Sequence, residues 1–360
     1  MIKLLYITNG ITGSGGLERV LAIKTSALAE TYGYCIHILM LNEIGSKPFY
    51  LFSDKITFHN VNTRSQAIPY FLDYRKGIKR VIKKIAPNII SVCDDGLKGM
   101  LFPVIFKIKI PVIYERHVSK NINKSFIPSF ILNKIIDFGT EKFNKFIVLT
   151  EGNKKEWKCK NLLVIPNPLP FYPSQSALLL NKTVLAVGKQ SYQKNYEDLL
   201  KIWKNVIKKH PRWKLEIYGK INLALNLTEK SQKLNIENSV KFYPPNKNIE
   251  NKYKEAAIYV MTSKFEGFGM VLIEAMAFGV PCVSFECPHG PADIITDTKD
   301  GYLVPNGDLE LFSKRLITLI EDEELRKKMG KHARENVKVY LPENIIKQWD
   351  SLFKSLICKK

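Results

Sequence analysis

Phe265-Glu266-Gly267-Phe268-Gly269-Met270-Val271-Leu272-Ile273-Glu274-Ala275-Met276-Ala277-Phe278-Gly279-Val280-Pro281 reads as the centre of a strand–turn–helix–strand unit. An apolar run at 257–261 precedes it and fits a buried strand. Two glycines then allow close backbone approach, a helix is expected over 270–278, and a second apolar strand over 282–285. A helix that opens at such a turn offers free N–H groups and the positive end of its dipole, which suits a phosphate. Glu274 lies two turns beyond Glu266. Carboxylates only accept hydrogen bonds, so either can grip a pair of vicinal hydroxyls such as those of ribose or a hexose.

Working outward, the same alternation fills the chain. Strands are expected at 3–8, 35–41, 88–92, 112–114, 146–149 and 163–165, and the pattern restarts with strands at 183–187, 214–218 and 240–242 and helices at 196–209 and 309–321. Such a series makes parallel sheets covered by helices. The proline-dense run Pro166-Asn167-Pro168-Leu169-Pro170-Phe171-Tyr172-Pro173 can continue neither a helix nor a central strand, so it marks the boundary. A chain of 360 residues also exceeds what one core usually serves. The expectation is an α/β protein with two Rossmann-like doubly wound domains facing across a cleft, 1–168 and 169–340. A last helix within 341–360 would pack back toward the first domain. Ligands of such folds sit at the carboxyl ends of the strands.

Composition narrows the class. A hydrophobic share of 45% with 25% charged residues is that of a globular protein and excludes a disordered chain. The six cysteines are scattered with no zinc-ligand spacing, so reduced thiols and a cytoplasmic setting are expected. The first residues read as a buried strand and not as a signal peptide, and the apolar run at 101–106 is too short to span a bilayer. Net charge is +21, and residues 1–170 hold 25 Lys and Arg against 12 Asp and Glu. Within 74–85 the apolar positions 78, 81, 82 and 85 follow helical spacing and leave Arg75, Lys76, Lys79, Arg80, Lys83 and Lys84 on the other face. A second basic, aromatic-rich stretch runs over 120–146. Anionic lipid headgroups would attract such a surface, at about 1 kcal/mol per basic residue. No nucleic-acid-binding signature accompanies it, so no nucleic-acid partner is expected.

Two further loops carry candidate chemistry. Gly10-Ile11-Thr12-Gly13-Ser14-Gly15-Gly16 follows the first strand and has little side-chain bulk to keep a phosphate away, while Glu18 stands where a dinucleotide fingerprint would need glycine. Lys189 and Lys194 follow the strand at 183–187. Cations there would suit a phosphate-bearing ligand. No Asp-x-Asp triplet occurs to anchor a divalent ion. Neither a metal nor a bound cofactor is expected.

Glu266 and Glu274 as a Glu-x7-Glu element, with Gly13–Arg19, Val187-Gly188-Lys189, Gln193-Lys194-Asn195, Gly290-Pro291-Ala292-Asp293 and 300–304, resemble the retaining family 4 glycosyltransferases of GT-B fold, over nearly the whole chain. The resemblance implies that Glu274 holds the donor ribose and Glu266 the hydroxyls of the donor sugar. Gly15, Gly16 and the backbone of Gly267, Phe268, Gly269, Met270 and Val271 would reach the diphosphate, with Lys194 and Lys189 as its cations. Members carry Arg where this chain has Lys189, and lysine keeps the charge without the bidentate fork. His117, just past a first-half strand, would line the site near the acceptor. The implied reaction moves a hexose or N-acetylhexosamine, with retention, from a UDP-sugar to a lipid-linked glycan or lipopolysaccharide precursor at the inner face of the cell membrane. Two alternatives stay open: a sugar-nucleotide epimerase of the same fold, and a non-catalytic basic protein that binds membranes or nucleic acid.

Overall fold

The computed structural model describes residues 1–120 and 129–358, so residues 121–128 of the second basic stretch lie outside the described part. Two compact units emerge, one of 1–170 with 342–360 and one of 171–341. The first contains β1 (Lys3–Thr8), α1 (Gly16–Glu30), β2 (Cys35–Leu41), β3 (Thr57–Val61), α2 (Ala67–Ile85), β4 (Ile89–Cys93), α3 (Leu97–Met100), α4 (Phe102–Phe106), β5 (Val112–Glu115), α5 (Ser129–Thr140), β6 (Lys145–Val148), α6 (Glu151–Lys154) and β7 (Leu162–Val164). The second contains β8 (Thr183–Val187), α7 (Tyr196–Lys209), β9 (Lys214–Tyr218), α8 (Leu227–Lys233), β10 (Val240–Tyr243), α9 (Ile249–Glu255), β11 (Ile258–Met261), α10 (Met270–Ala277), β12 (Cys282–Glu286), α11 (Pro291–Ile294), β13 (Gly301–Pro305), α12 (Leu309–Glu321) and α13 (Glu323–Asn336). The last helix, α14 (Pro342–Ile357), belongs to the first unit and packs on α1.

Among the described residues the strand orders are β3-β2-β1-β4-β5-β6-β7 and β10-β9-β8-β11-β12-β13, all parallel. In each sheet the order reverses beside its first strand, between β1 and β4 and between β8 and β11. Doubly wound sheets bind ligands at the carboxyl ends beside such a reversal. Topology therefore directs attention to the loops after β1, β4, β8 and β11 before any side chain is considered.

Period-2 alternation sets the core. On β1, Leu5 and Ile7 face Tyr74, Ile78 and Ile82 of α2 and Leu132 and Ile136 of α5. Leu4 and Tyr6 face the opposite layer, with Leu21 and Leu28 of α1 and Ile345, Ile346, Trp349, Leu352 and Phe353 of α14. Each of these α14 side chains removes apolar surface from water, for roughly 1.5–3 kcal/mol apiece as an upper bound. The C-terminal helix is thus part of the first sheet's cover. In the second unit Leu199, Leu200, Trp203 and Val206 of α7 seat on β8 and β9. Two edge strands, β3 and β13, were not expected from the sequence. β3 reads Thr-Phe-His-Asn-Val with only Val61 fully buried, so it carries no apolar run.

Candidate active site

The loop after β8 is pinned from several sides. Gln190 Oε1 accepts from the Asn222 amide at 3.0 Å, and the Lys264 amide donates to the Gln193 carbonyl at 2.8 Å. Thr262 Oγ1 donates to the carbonyls of Lys194 and Asn195 at 3.1 and 3.2 Å. These bonds hold the segment 193–195 against the loop after β11. Lys194 Nζ then reaches Glu266 Oε1 at 2.6 Å, and Gln193 Nε2 donates to the Phe265 carbonyl at 3.0 Å and to Glu266 Oε2 at 3.4 Å. A Cβ at Gly188 would lie 2.7 Å from Lys194 Cε, so a side chain there would displace the lysine from its present course. The Lys194 side chain is 16% exposed and that of Glu266 9%, so the pair keeps a narrow opening to solvent. Burial beside Glu266 pushes the Cys287 thiol up to about 12, leaving it a neutral wall. Lys189 is exposed and pairs with no described residue.

Gly269 begins α10 with φ +99°, a left-handed conformation that costs glycine nothing, and no side chain caps the helix. The Leu272 amide donates to the Gly269 carbonyl at 2.9 Å, which leaves the Met270 and Val271 amides, ahead of the first intrahelical bonds, to face an anion. The helix is apolar all round apart from Glu274, as befits a buried helix. Glu274 is buried and accepts from Tyr253 Oη at 2.8 Å. Phe268 turns its ring into an edge contact with Tyr340, 5.4 Å between centroids, so only its backbone can meet a ligand. Gly267 is buried, while Met270 and Val271 are half-buried.

In the first unit the loop after β1 is fenced by carboxylates. Glu43 Oε2 accepts from the Ile11 amide at 2.7 Å, and its Oε1 accepts from the Thr12 hydroxyl. The Glu18 carboxylate folds back over Gly13 and Gly15, where a Cβ would meet its oxygens at 2.3 and 2.6 Å. Burial raises the Glu18 pKa, opposed in part by His117. The amides of Ile11 and Thr12 are therefore spent internally. Gly15 and Gly16 are exposed, and no side chain caps α1. Beyond β5, the His117 amide donates to Asp95 Oδ1 at 3.1 Å, and His117 Nε2 lies 3.5 Å from Glu115 Oε2.

The description Glycosyl transferases group 1 fits residues 175–336. Over 366 aligned residues the chain is 34% identical to the amylovoran biosynthesis glycosyltransferase AmsD of Erwinia amylovora, covering 98% of this chain and 99% of that protein. The chain belongs to the group 1 glycosyltransferases. The transferase is also 25% identical, over 97% of both chains, to the GalNAc-alpha-(1->4)-GalNAc-alpha-(1->3)-diNAcBac-PP-undecaprenol alpha-1,4-N-acetyl-D-galactosaminyltransferase of Campylobacter jejuni. The S. aureus protein TarM, solved with UDP and alpha-GlcNAc-glycerol, matches at TM-score 0.80 and 17% identity over 98% of this chain and all of that one, a likeness of fold. The fold of the transferase is GT-B, with two parallel Rossmann-like sheets.

Sequence reasoning about the transferase missed four partners. Gln193 and Tyr253 hold the two glutamates, and Lys24 and Ser91 hold Glu115. Cys93, Glu115 and His117 bring three metal-ligand atoms within 4.8 Å of one another. The Lys24 ammonium is already bonded to the same Glu115 oxygen that faces His117, so a positive charge occupies that nest. Among the described residues no helix is long and apolar enough to cross a membrane.

Proposed function

We propose that this glycosyltransferase moves a hexose or N-acetylhexosamine, with retention of configuration, from a UDP-sugar to a hydroxyl of a lipid-linked glycan or lipopolysaccharide precursor. The observation that carries the reading is the clustering of Lys194, Gln193 and Glu266 beside the uncapped helix that bears Glu274. The second unit takes the donor. Glu274, steadied by Tyr253, accepts from the ribose hydroxyls, and the amides at 269–271 bind the diphosphate. Lys194 and Lys189 stabilise the leaving group, and Glu266 exchanges part of its contact with Lys194 for hydroxyls of the donor sugar. The first unit takes the acceptor, with His117 assigned to the attacking hydroxyl and the Gly15–Gly16 loop assigned to phosphate contact. The leaving phosphate oxygen accepts the acceptor's proton as the new bond forms on the same face. The UDP bound to TarM and the undecaprenol-linked substrate of the Campylobacter relative support this donor and acceptor class.

No metal enters this scheme; chelation by EDTA is expected to leave the rate unchanged. Docking at the inner face of the cell membrane would place the lipid-linked acceptor within reach. Its basis is α2, which exposes Ile68, Phe71 and Leu72 on its first turns and six basic side chains after them. Replacing those six with serine should abolish co-flotation with anionic vesicles. The central test is a panel of sugar nucleotides scored for slow hydrolysis, followed by Glu274→Ala. That variant should lose donor affinity and transfer together, and wild-type values for both would remove the site.

A further inference from the structure

The first unit keeps an ammonium group entirely out of water. Lys24 is 0% exposed on the face of α1 that also buries Leu21, Thr25 and Leu28. An apolar pair of similar volume would serve stability as well or better than a buried ion pair, so the charge calls for another reason. Its surroundings supply one. Lys24 Nζ is bonded to Glu115 Oε2 and lies 4.1 Å from the centroid of the Trp349 ring and 5.0 Å from that of Tyr6. Ser91 Oγ donates to Glu115 Oε1 at 2.6 Å, which fixes the other end of the carboxylate. Trp349 comes from α14, itself tied to the unit by Tyr34 Oη donating to Asp350 Oδ1 at 2.8 Å. A chain of contacts thus runs from α14 through Trp349, Lys24 and Glu115.

His117 stands at its end. Nε2, 3.5 Å from Glu115 Oε2, is buried without a hydrogen-bond partner among the described residues. Nδ1 is engaged by no described residue. Hydrogen bonds that serve catalysis are often long in the empty enzyme and shorten when substrate binds. The bond made by one imidazole nitrogen decides the state of the other.

We propose that Glu115 is a positioning residue for His117: it accepts from Nε2–H, orients the ring and leaves Nδ1 as the acceptor for a substrate hydroxyl, while Lys24 and Trp349 hold the carboxylate in place. The inference rests on the reading that His117 serves the reaction. Removing one charge alone would strand the other in the core, so the working variants are the double Lys24→Met/Glu115→Gln and, separately, Trp349→Leu.

The experiment uses the full chain with 15N-labelled histidine, alongside kcat and donor KM. Wild type should show His117 as a single Nε2–H tautomer, the double variant a mixture, and Trp349→Leu an intermediate. Transfer by the folded double variant should fall about 10- to 100-fold in kcat with donor KM within about twofold. A wild-type tautomer protonated on Nδ1, or a folded double variant with wild-type kcat, overturns the positioning role. If His117→Ala is itself slow while the double variant is not, only that role falls. If His117→Ala turns over like wild type, the reading of His117 and the inference fall together.

Discussion

Each unit sets a lysine from one loop or helix against a glutamate at or beyond a strand end, and the two pairs behave differently because water reaches only one of them. Lys24 and Glu115 are 0% and 1% exposed, whereas Lys194 and Glu266 are 16% and 9% exposed. In the first pair the carboxylate is held by Ser91 and Lys24, faces His117 and is sealed from solvent. In the second it is held by Gln193 and Lys194 at a gap open to solvent, where a hydroxyl can compete. The same two residue types therefore stand sealed in one place and open to solvent in the other.

The largest effect that could break this contrast is on stability. Glu115→Gln alone should lower the unfolding free energy by about 3–5 kcal/mol because it strands Lys24, and adding Lys24→Met should recover most of the loss. Denaturant melts of the three proteins decide it; a single variant no worse than the double would mean that the buried charges do not depend on one another. Lys194→Ala should reverse the balance. Transfer is expected to drop about 100- to 1000-fold, with a stability cost of only about 1–2 kcal/mol, between the exposed-pair and buried-pair limits. A stability loss equal to that of Glu115→Gln would erase the distinction.

A smaller effect sharpens it. Lys24, followed by His117, outweighs burial and draws the Glu115 pKa down to about 2 from 4.5. Its ionised form is thus favoured by folding, so this stabilisation is complete above about pH 4.5 and is lost as pH falls through about 2. Glu18 has the opposite sign: burial raises its pKa, so its protonation favours the folded state as pH falls. Urea midpoints taken down the acid limb should therefore fall less steeply in the Lys24→Met/Glu115→Gln double variant than in wild type. Equal slopes would show that the pair carries no acid-sensitive stability.

These two pairs also mark how far the sequence could be read. The loop with Glu266 and the helix with Glu274 were legible as a strand–turn–helix because glycines, strand and helix lie within one local stretch. The strands carrying apolar runs were legible for the same reason, while β3, a polar edge, was not. Lys24 and Glu115 lie 91 residues apart and meet only after the sheet has formed. Each did leave a trace: Lys24 occupies an apolar position at helical spacing from Leu21 and Leu28, and Glu115 ends a buried strand. A charge at a buried register position is a demand for a partner, and matching two such demands would have pointed to the pair.

α14 has a consequence for biosynthesis. Its Trp349 and Phe353 complete the layer that covers β1, yet they are translated after the whole of 171–341. On a ribosome adding roughly 5–20 residues per second, the early sheet waits tens of seconds for its final helix, while the later one has all its strands beforehand. The half made first is thus the half finished last, with the apolar layer around Tyr6 and Ile38 lacking part of its cover until α14 is made.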